Sequence, residues 1–214
     1  MMKEKSKLIA AVAVAAFLWF FMFSPWTGHL VNFWIAMSCS AVILTTLALS
    51  FSTDLRSLAK IERPLLQIVG GIVLAFALWG IFWVGDKVSS WMFGFARPQV
   101  DLVYSMKTGM PSWVIAVLLL VLIGPAEEFF WRGYVQRNMV KVLGCKNPEF
   151  LAFVVTTVIY ALVHIWSFNF MLVMAALVAG VVWGFIYWLC PKALPALIIS
   201  HALWDAMVFV IFPI

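Results

Sequence analysis

The stretch Gly124-Pro125-Ala126-Glu127-Glu128-Phe129-Phe130-Trp131-Arg132-Gly133 sets two adjacent carboxylates and one arginine at the inner end of an apolar run that begins near Pro111. A carboxylate near the middle of a bilayer costs about 2.5–3.5 kcal/mol on insertion scales, so a pair of them with a single arginine nearby marks a functional site. The competing reading is that both acids only pin helix packing or mark a helix end. Helical spacing divides their labour. Residues four apart share a face, so Glu128 meets Arg132 with the acid on the favourable N-terminal side and reads as structural support. Glu127 points roughly 100° away around the helix and lacks that partner. It must face a cavity, water or a polar group on another helix, and is the candidate reactive group.

The rest of the chain places this stretch in a membrane. Of 214 residues, 65% are hydrophobic and 11% charged, against about 25% charged in soluble domains. Repeated apolar runs of near-spanning length leave no room for a separate soluble domain. The sequence therefore predicts an all-α, polytopic transmembrane helix bundle forming one integral membrane domain over residues 1–214. The net charge of +5 resides in short loops between spans, where positive charge sets orientation, and nucleic-acid binding is not expected. Cys39, Cys145 and Cys190 have no paired spacing and read as small apolar fillers rather than as zinc ligands or disulfides.

Lys3, Lys5 and Lys7 precede an apolar run from Leu8 to about Phe23 with no small-residue cleavage site after it, which reads as an uncleaved first span with its N-terminus in the cytoplasm. A second span follows from about His29 to Ser50, then a polar cytoplasmic loop with Asp54, Arg56, Lys60, Glu62 and Arg63. The third span runs from Pro64 to about Val84, with Gly70, Gly71 and Gly80 as small residues that admit a neighbouring helix. Asp86 to Met110 carries Lys87, Arg97, Pro98, Asp101 and Lys107 among aromatics and suits an interfacial or loop segment. The fourth span leads from Pro111 into the paired glutamates, followed by a basic loop with Arg132, Arg137, Lys141 and Lys146. Spans five to seven cover about Glu149–Trp166, Phe168–Leu189 and Ala193–Phe212, with Cys190-Pro191-Lys192 as a tight turn. Seven spans put eleven basic residues on the cytoplasmic side and only Lys87, Arg97 and Lys107 outside, as the positive-inside rule requires; eight spans are the alternative.

Two of the three histidines lie in the last three spans with a polar residue one turn away, as Tyr160-x-x-x-His164 and His201-x-x-x-Asp205. Each pair shares a helix face. If spans four and five turn around Cys145-Lys146, Glu127 lies about eighteen residues before the turn and His164 about eighteen after it, at nearly the same depth. Gly124-Pro125 could kink the fourth span just before Glu127. His29 has no such partner and reads as interfacial. A carboxylate and a histidine converging in an apolar cavity suggest a general base that activates water, with His201 donating to a tetrahedral oxyanion. Glu127, His164 and His201 are also ligand types for a catalytic zinc or another divalent metal, but no spacing demands one, and no cofactor is expected.

Glu127-Glu128-x-x-x-Arg132, Tyr160-x-x-x-His164 and His201-x-x-x-Asp205, in this order on successive hydrophobic helices, resemble the CAAX protease and bacteriocin-processing (CPBP, or Abi) family of intramembrane proteases. The resemblance covers about residues 111–212. It implies a glutamate-type endopeptidase in which Glu127 and His164 activate the attacking water while His201 and Asp205 serve the oxyanion. The second motif usually begins with Phe, where this chain has Tyr160. The third often ends in Asn, where it has Asp205; an ionised Asp is acceptor-only, so Asp205 is expected to orient His201 rather than to donate. The implied substrate is a membrane-tethered protein or peptide, cleaved by CAAX-type C-terminal processing or by bacterial peptide or sorting-signal processing, and the implied location is a prokaryotic inner or plasma membrane. The alternative from another class is a non-proteolytic membrane protein, either a proton-relay transporter through Glu127, His164 and Asp205 or an immunity or binding factor.

Overall fold

In a computed structural model, which describes residues 2–52 and 61–214, the chain is built of helices. They are α1 (Met2–Phe23), α2 (Phe33–Phe51), α3 (Pro64–Met92) and α4 (Ala96–Ser105), then α5 (Ser112–Val142), α6 (Pro148–Ser167), α7 (Phe170–Leu189) and α8 (Pro191–Ile211). All but α4 are long and apolar enough to cross a membrane, which gives seven candidate spans among the described residues. Helix α4 has 10 residues, about 15 Å at 1.5 Å per residue, and is too short to be an eighth. The loop expected around Asp54, Arg56 and Lys60 lies outside the described residues.

Local chemistry sets the helix ends. The Asn32 side chain accepts from the Trp34 and Ile35 amides at the start of α2, and Asn169 accepts from the Leu172 amide at the start of α7. These caps satisfy amides that a helix start leaves without partners. Pro64, Pro148 and Pro191 occupy first-turn positions, where a missing N–H costs nothing. Phe168, at φ 50, makes the left-handed turn that separates α6 from α7.

Two boundaries differ from the sequence reading. Helix α3 continues through Asp86 and Lys87 to Met92 rather than ending near Val84. Its extra turns carry few charges and pack beside α4. The fourth span does not stop at the glutamates but continues to Val142, so Arg132 belongs to the helix interior, Arg137 and Lys141 lie on the same helix, and the turn to α6 begins only at Leu143. A helix keeps Arg132 within reach of Glu128, and that ion pair is what allows an arginine to stay inside.

Helix α5 is not uniform. The Gly124 amide bonds back to the Leu119 carbonyl and the Arg137 amide to the Arg132 carbonyl, both five residues earlier. These wide π turns flank Glu127-Glu128, and the first ends at Gly124, just before Pro125. Such turns cluster at functional sites because they re-aim the side chains they carry.

Two apolar clusters flank the site. One joins α1, α2, α5 and α6 around Trp19, Trp34, Phe130 and Trp131. The other joins α3, α7 and α8 around Leu78, Trp183, Leu197 and Trp204. Helix α8 is the most enclosed span, and α3 the least. Close approaches fix the joints between helices. A Cβ at Gly71 would lie 2.7 Å from the Ile199 Cβ, so this glycine admits α8 as expected, whereas nothing lies within 4 Å of a Cβ at Gly80. The three cysteines are exposed rather than buried fillers. His29 is exposed, with its Nδ1 3.2 Å from the Pro25 carbonyl.

Helix α4 caps one end of the bundle. Gln99 on α4 accepts from the Asn169 side chain through its carbonyl and from the Met171 amide through its side chain. Arg97 reaches Asp86 of α3 and the Ile214 carbonyl, and the Tyr104 hydroxyl accepts from the Ile214 amide.

Candidate active site

Glu127 and Glu128 are both buried, yet their surroundings differ as helical spacing requires. Glu128 Oε1 accepts from Arg132 Nη1 at 2.7 Å, the i,i+4 pair expected, and also faces His201 Nδ1 at 2.9 Å. The second contact makes Glu128 more than a local partner: it ties α5 to α8. Arg132 lies over the rings of Tyr160 and Trp183, with its guanidinium carbon 4.8 and 5.6 Å from their centroids. Aromatic faces and one carboxylate therefore compensate a charge that has almost no solvent access.

Glu127 shares neither the Arg132 bond nor the His201 Nδ1 contact. Its carboxylate accepts from the Tyr160 hydroxyl at 3.2 Å and lines a cavity of about 430 Å³. His164, His201 and Asp205 line the same cavity, so all four expected catalytic residues meet there. Its other walls are mostly apolar and come largely from α2, α3, α4, α7 and α8, including Phe82, Val103, Met174 and Phe209, with Asp86, Ser89 and Tyr104 as polar exceptions.

The backbone explains why these groups converge. A Cβ at Gly124 would lie 2.7 Å from the Ala202 Cα and 2.9 Å from its amide nitrogen, so only glycine lets α5 and α8 touch at this level. That contact sets Glu128, four residues further along α5, against His201, the residue before Ala202 on α8. On the opposite side, Gly180 and Gly184 of α7 admit Tyr160, Thr157 and Phe153 of α6 at contact distances. The Gly180 carbonyl accepts from Thr157 and Arg132, and the Gly184 carbonyl accepts from Gln136.

Each histidine is held at both nitrogens. His164 Nδ1 lies 2.8 Å from the Tyr160 carbonyl, and its Nε2 lies 3.0 Å from the indole nitrogen of Trp19. His201 Nδ1 faces Glu128, and its Nε2 lies 3.4 Å from Asp205 Oδ2. The His201 ring stacks on Trp183 at 4.0 Å between centroids, and Trp183 is itself anchored by donating to Ser200 at 3.1 Å. Trp19 and Trp183 are contributors that spacing rules did not single out. Their only signal is an indole N–H inside an apolar span, which must find an acceptor.

These commitments bear on metal binding. Glu127, His164 and His201 are not arranged as one ligand set: His201 Nδ1 faces Glu128 and His164 Nε2 faces Trp19. Among the described residues no group of three or more His, Cys, Asp or Glu is arranged to hold a metal ion. The donor set does not fit the zinc alternative.

A family model described as type II CAAX prenyl endopeptidase Rce1-like matches residues 109–207. That segment holds α5 to α8 through Met207 and every member of the three motifs. No curated protein and no solved structure matches the chain.

Proposed function

Because residues 109–207 belong to the Rce1-like family of type II CAAX prenyl endopeptidases, a CAAX-type class of intramembrane protease, we propose that Glu127 is the base that activates water for peptide-bond hydrolysis. The observation that carries this reading is the contrast between the two acids. Glu128 is committed to Arg132 and His201, whereas Glu127 has only a tyrosine hydroxyl and an open cavity before it. In the proposed reaction, water adds to the scissile carbonyl carbon as its proton passes to Glu127. The carbonyl becomes a tetrahedral oxyanion. As the C–N bond breaks, the Glu127 carboxyl returns a proton to the leaving amine.

His201 is suited to the oxyanion. With Glu128 and Asp205 ionised, the ring meets an acceptor at each nitrogen and carries a proton on both. Its Nδ1 bond to Glu128 is short, while the 3.4 Å contact to Asp205 is long enough for Nε2–H to turn toward a substrate oxygen. Asp205 then orients the ring. His164 lines the same cavity, and its Nε2 lone pair, taken by the Trp19 indole N–H in the structure, would pass to the attacking water on displacement of that donor.

The cavity's apolar walls and its position inside a bundle of membrane-length helices suit a lipid-tethered or membrane-embedded chain rather than a soluble peptide. The proposed entrance lies between α3 and α7, beside α4, since all three helices contribute lining residues. One domain over residues 1–214, with the N-terminus in the cytoplasm and a prokaryotic membrane as its location, completes the proposal.

The test uses purified protein in proteoliposomes with a quenched, farnesylated peptide ending in Cys-aliphatic-aliphatic-Met as probe. Wild type should release the C-terminal tripeptide, and Glu127→Gln should not, at equal thermal stability. Cleavage that survives in Glu127→Gln would falsify the assignment of the base. Transport of protons without cleavage by wild type would favour the relay.

A further inference from the structure

The family match begins at residue 109, but a ring of the first span touches the site. Trp19 lies on α1 and is 1% exposed; its indole nitrogen is 3.0 Å from His164 Nε2, while His164 Nδ1 is 2.8 Å from the Tyr160 carbonyl. These two partners leave no ambiguity about the proton. A carbonyl can only accept, so Nδ1 carries the hydrogen; an indole N–H can only donate, so Nε2 holds the lone pair.

We infer that Trp19 is a positioning residue for hydrolysis: with the Tyr160 carbonyl it holds the His164 ring in one orientation and keeps the Nε2 lone pair unprotonated until water takes the place of the indole N–H. This rests on the proposed role of His164. Both nitrogens are tied, so the ring has one orientation. Neighbouring rings close round it: Trp19 and Tyr160 meet it edge-on at 5.9 and 5.4 Å between centroids, and Phe23 packs at 5.4 Å. Water reaches Nε2 by taking the place of the indole N–H. One donor replaces another at the same lone pair, with no flip of ring or tautomer. Trp19 is in turn braced by Trp131, at 6.1 Å, on the helix that carries Glu127. The first span is thus joined to the glutamate helix through one pair of indoles.

The test separates the N–H from the bulk of the ring. β-(3-Benzothienyl)alanine at position 19 keeps the bicyclic shape and lacks the N–H; Trp19→Phe is the encodable companion. The first readout is the ¹⁵N spectrum of histidine-labelled protein in nanodiscs, with the His164 signals assigned from His164→Gln. Wild type should show a protonated Nδ1 and an unprotonated, hydrogen-bonded Nε2; in the isostere the Nε2 signal should move toward that of a free lone pair and both signals should broaden, because only the Tyr160 carbonyl then holds the ring. On the farnesylated probe, kcat should fall about five- to tenfold with KM within about twofold, as expected for loss of one net hydrogen bond. Wild-type ¹⁵N signals together with wild-type kcat in the isostere would overturn the inference. If wild type cleaves no probe, the proteolytic reading falls, while the ¹⁵N signals still decide whether Trp19 holds the His164 ring.

Discussion

Glu128 Oε1 lies 2.9 Å from His201 Nδ1, a contact that joins the fourth and seventh spans through an oxygen already bound to Arg132 at 2.7 Å. Glu128 is therefore a keystone of the buried polar network, and Glu127 is not. Removing one partner of a buried ion pair leaves an uncompensated charge and costs about 3–5 kcal/mol. Glu128→Ala should lower the thermal unfolding midpoint in detergent markedly. Glu127→Gln should leave it nearly unchanged, because an amide can still accept from Tyr160. Equal losses from the two substitutions would contradict this division of roles.

Gly124 supplies a second test. In Gly124→Ala the new methyl would sit 2.7 Å from the Ala202 Cα, which is backbone and cannot turn aside. Helices α5 and α8 must part, at a cost of about 1–3 kcal/mol for overpacking. His201 would move off Glu128, and misplacement of a catalytic group by about 1 Å can cost a hundredfold. Gly71→Ala provides the comparison, since it also meets backbone, the Ala196 carbonyl at 2.8 Å, but on the α3 side of α8. Both variants should lose stability, whereas activity on the farnesylated probe should fall more in Gly124→Ala.

The parts of this site that were legible in the sequence are those governed by short spacing. Glu128 with Arg132 and His201 with Asp205 are four-residue pairs, and the structure shows both. Counting residues about one turn put Glu127 and His164 at nearly the same depth, and in the structure both line one cavity. The contact of Glu128 with His201 spans 73 residues of sequence, and that of Trp19 with His164 spans 145. No local periodicity reaches so far. The end of the fourth span was misplaced for a related reason. Arg132 looked like the first charge of a loop, yet tertiary contacts with Glu128, Tyr160 and Trp183 hold it inside.

The α4 cap should loosen without the bundle unfolding. Arg97 is about half-exposed and links Asp86, Asp101 and the Ile214 carbonyl. Ion pairs with that much solvent contribute roughly 0.2–1 kcal/mol each. In Arg97→Ala the global midpoint should hardly move, while hydrogen exchange across residues 96–105 should quicken. A large shift of the midpoint would show that the cap belongs to the core.

Alkaline titration tests the same cap. Burial pushes the Tyr104 phenol above its ordinary value of 10.0, although Ile214 and Arg97 pull the other way. A raised folded value means that Tyr104 stabilises the protein fully below pH 10, and that this contribution is lost as pH rises toward the folded value. Wild type should therefore lose stability faster than Tyr104→Phe as pH climbs past about 10. Parallel loss in the two proteins would remove Tyr104 from the account.

Tyr160 performs two tasks that substitution can separate. Its hydroxyl donates to Glu127 at 3.2 Å, and its ring lies under Arg132 and beside Trp131 and His164. Tyr160→Phe deletes only the hydroxyl. Glu127 then loses one hydrogen bond but still faces the cavity, where water can replace it, so the loss of stability should stay below about 1.5 kcal/mol. Turnover should fall by about three- to tenfold, far less than in Glu127→Gln, with KM unchanged, because the hydroxyl orients the base without contacting substrate. Tyr160→Leu removes the ring as well. A desolvated cation over an aromatic face gains about 2 kcal/mol or more, and Arg132 would lose one of its two faces along with the contact that Gly180 makes room for. The midpoint should drop well below that of Tyr160→Phe. If Tyr160→Phe is instead as inactive as Glu127→Gln, the hydroxyl takes part in the chemistry itself, and the proton path must include it.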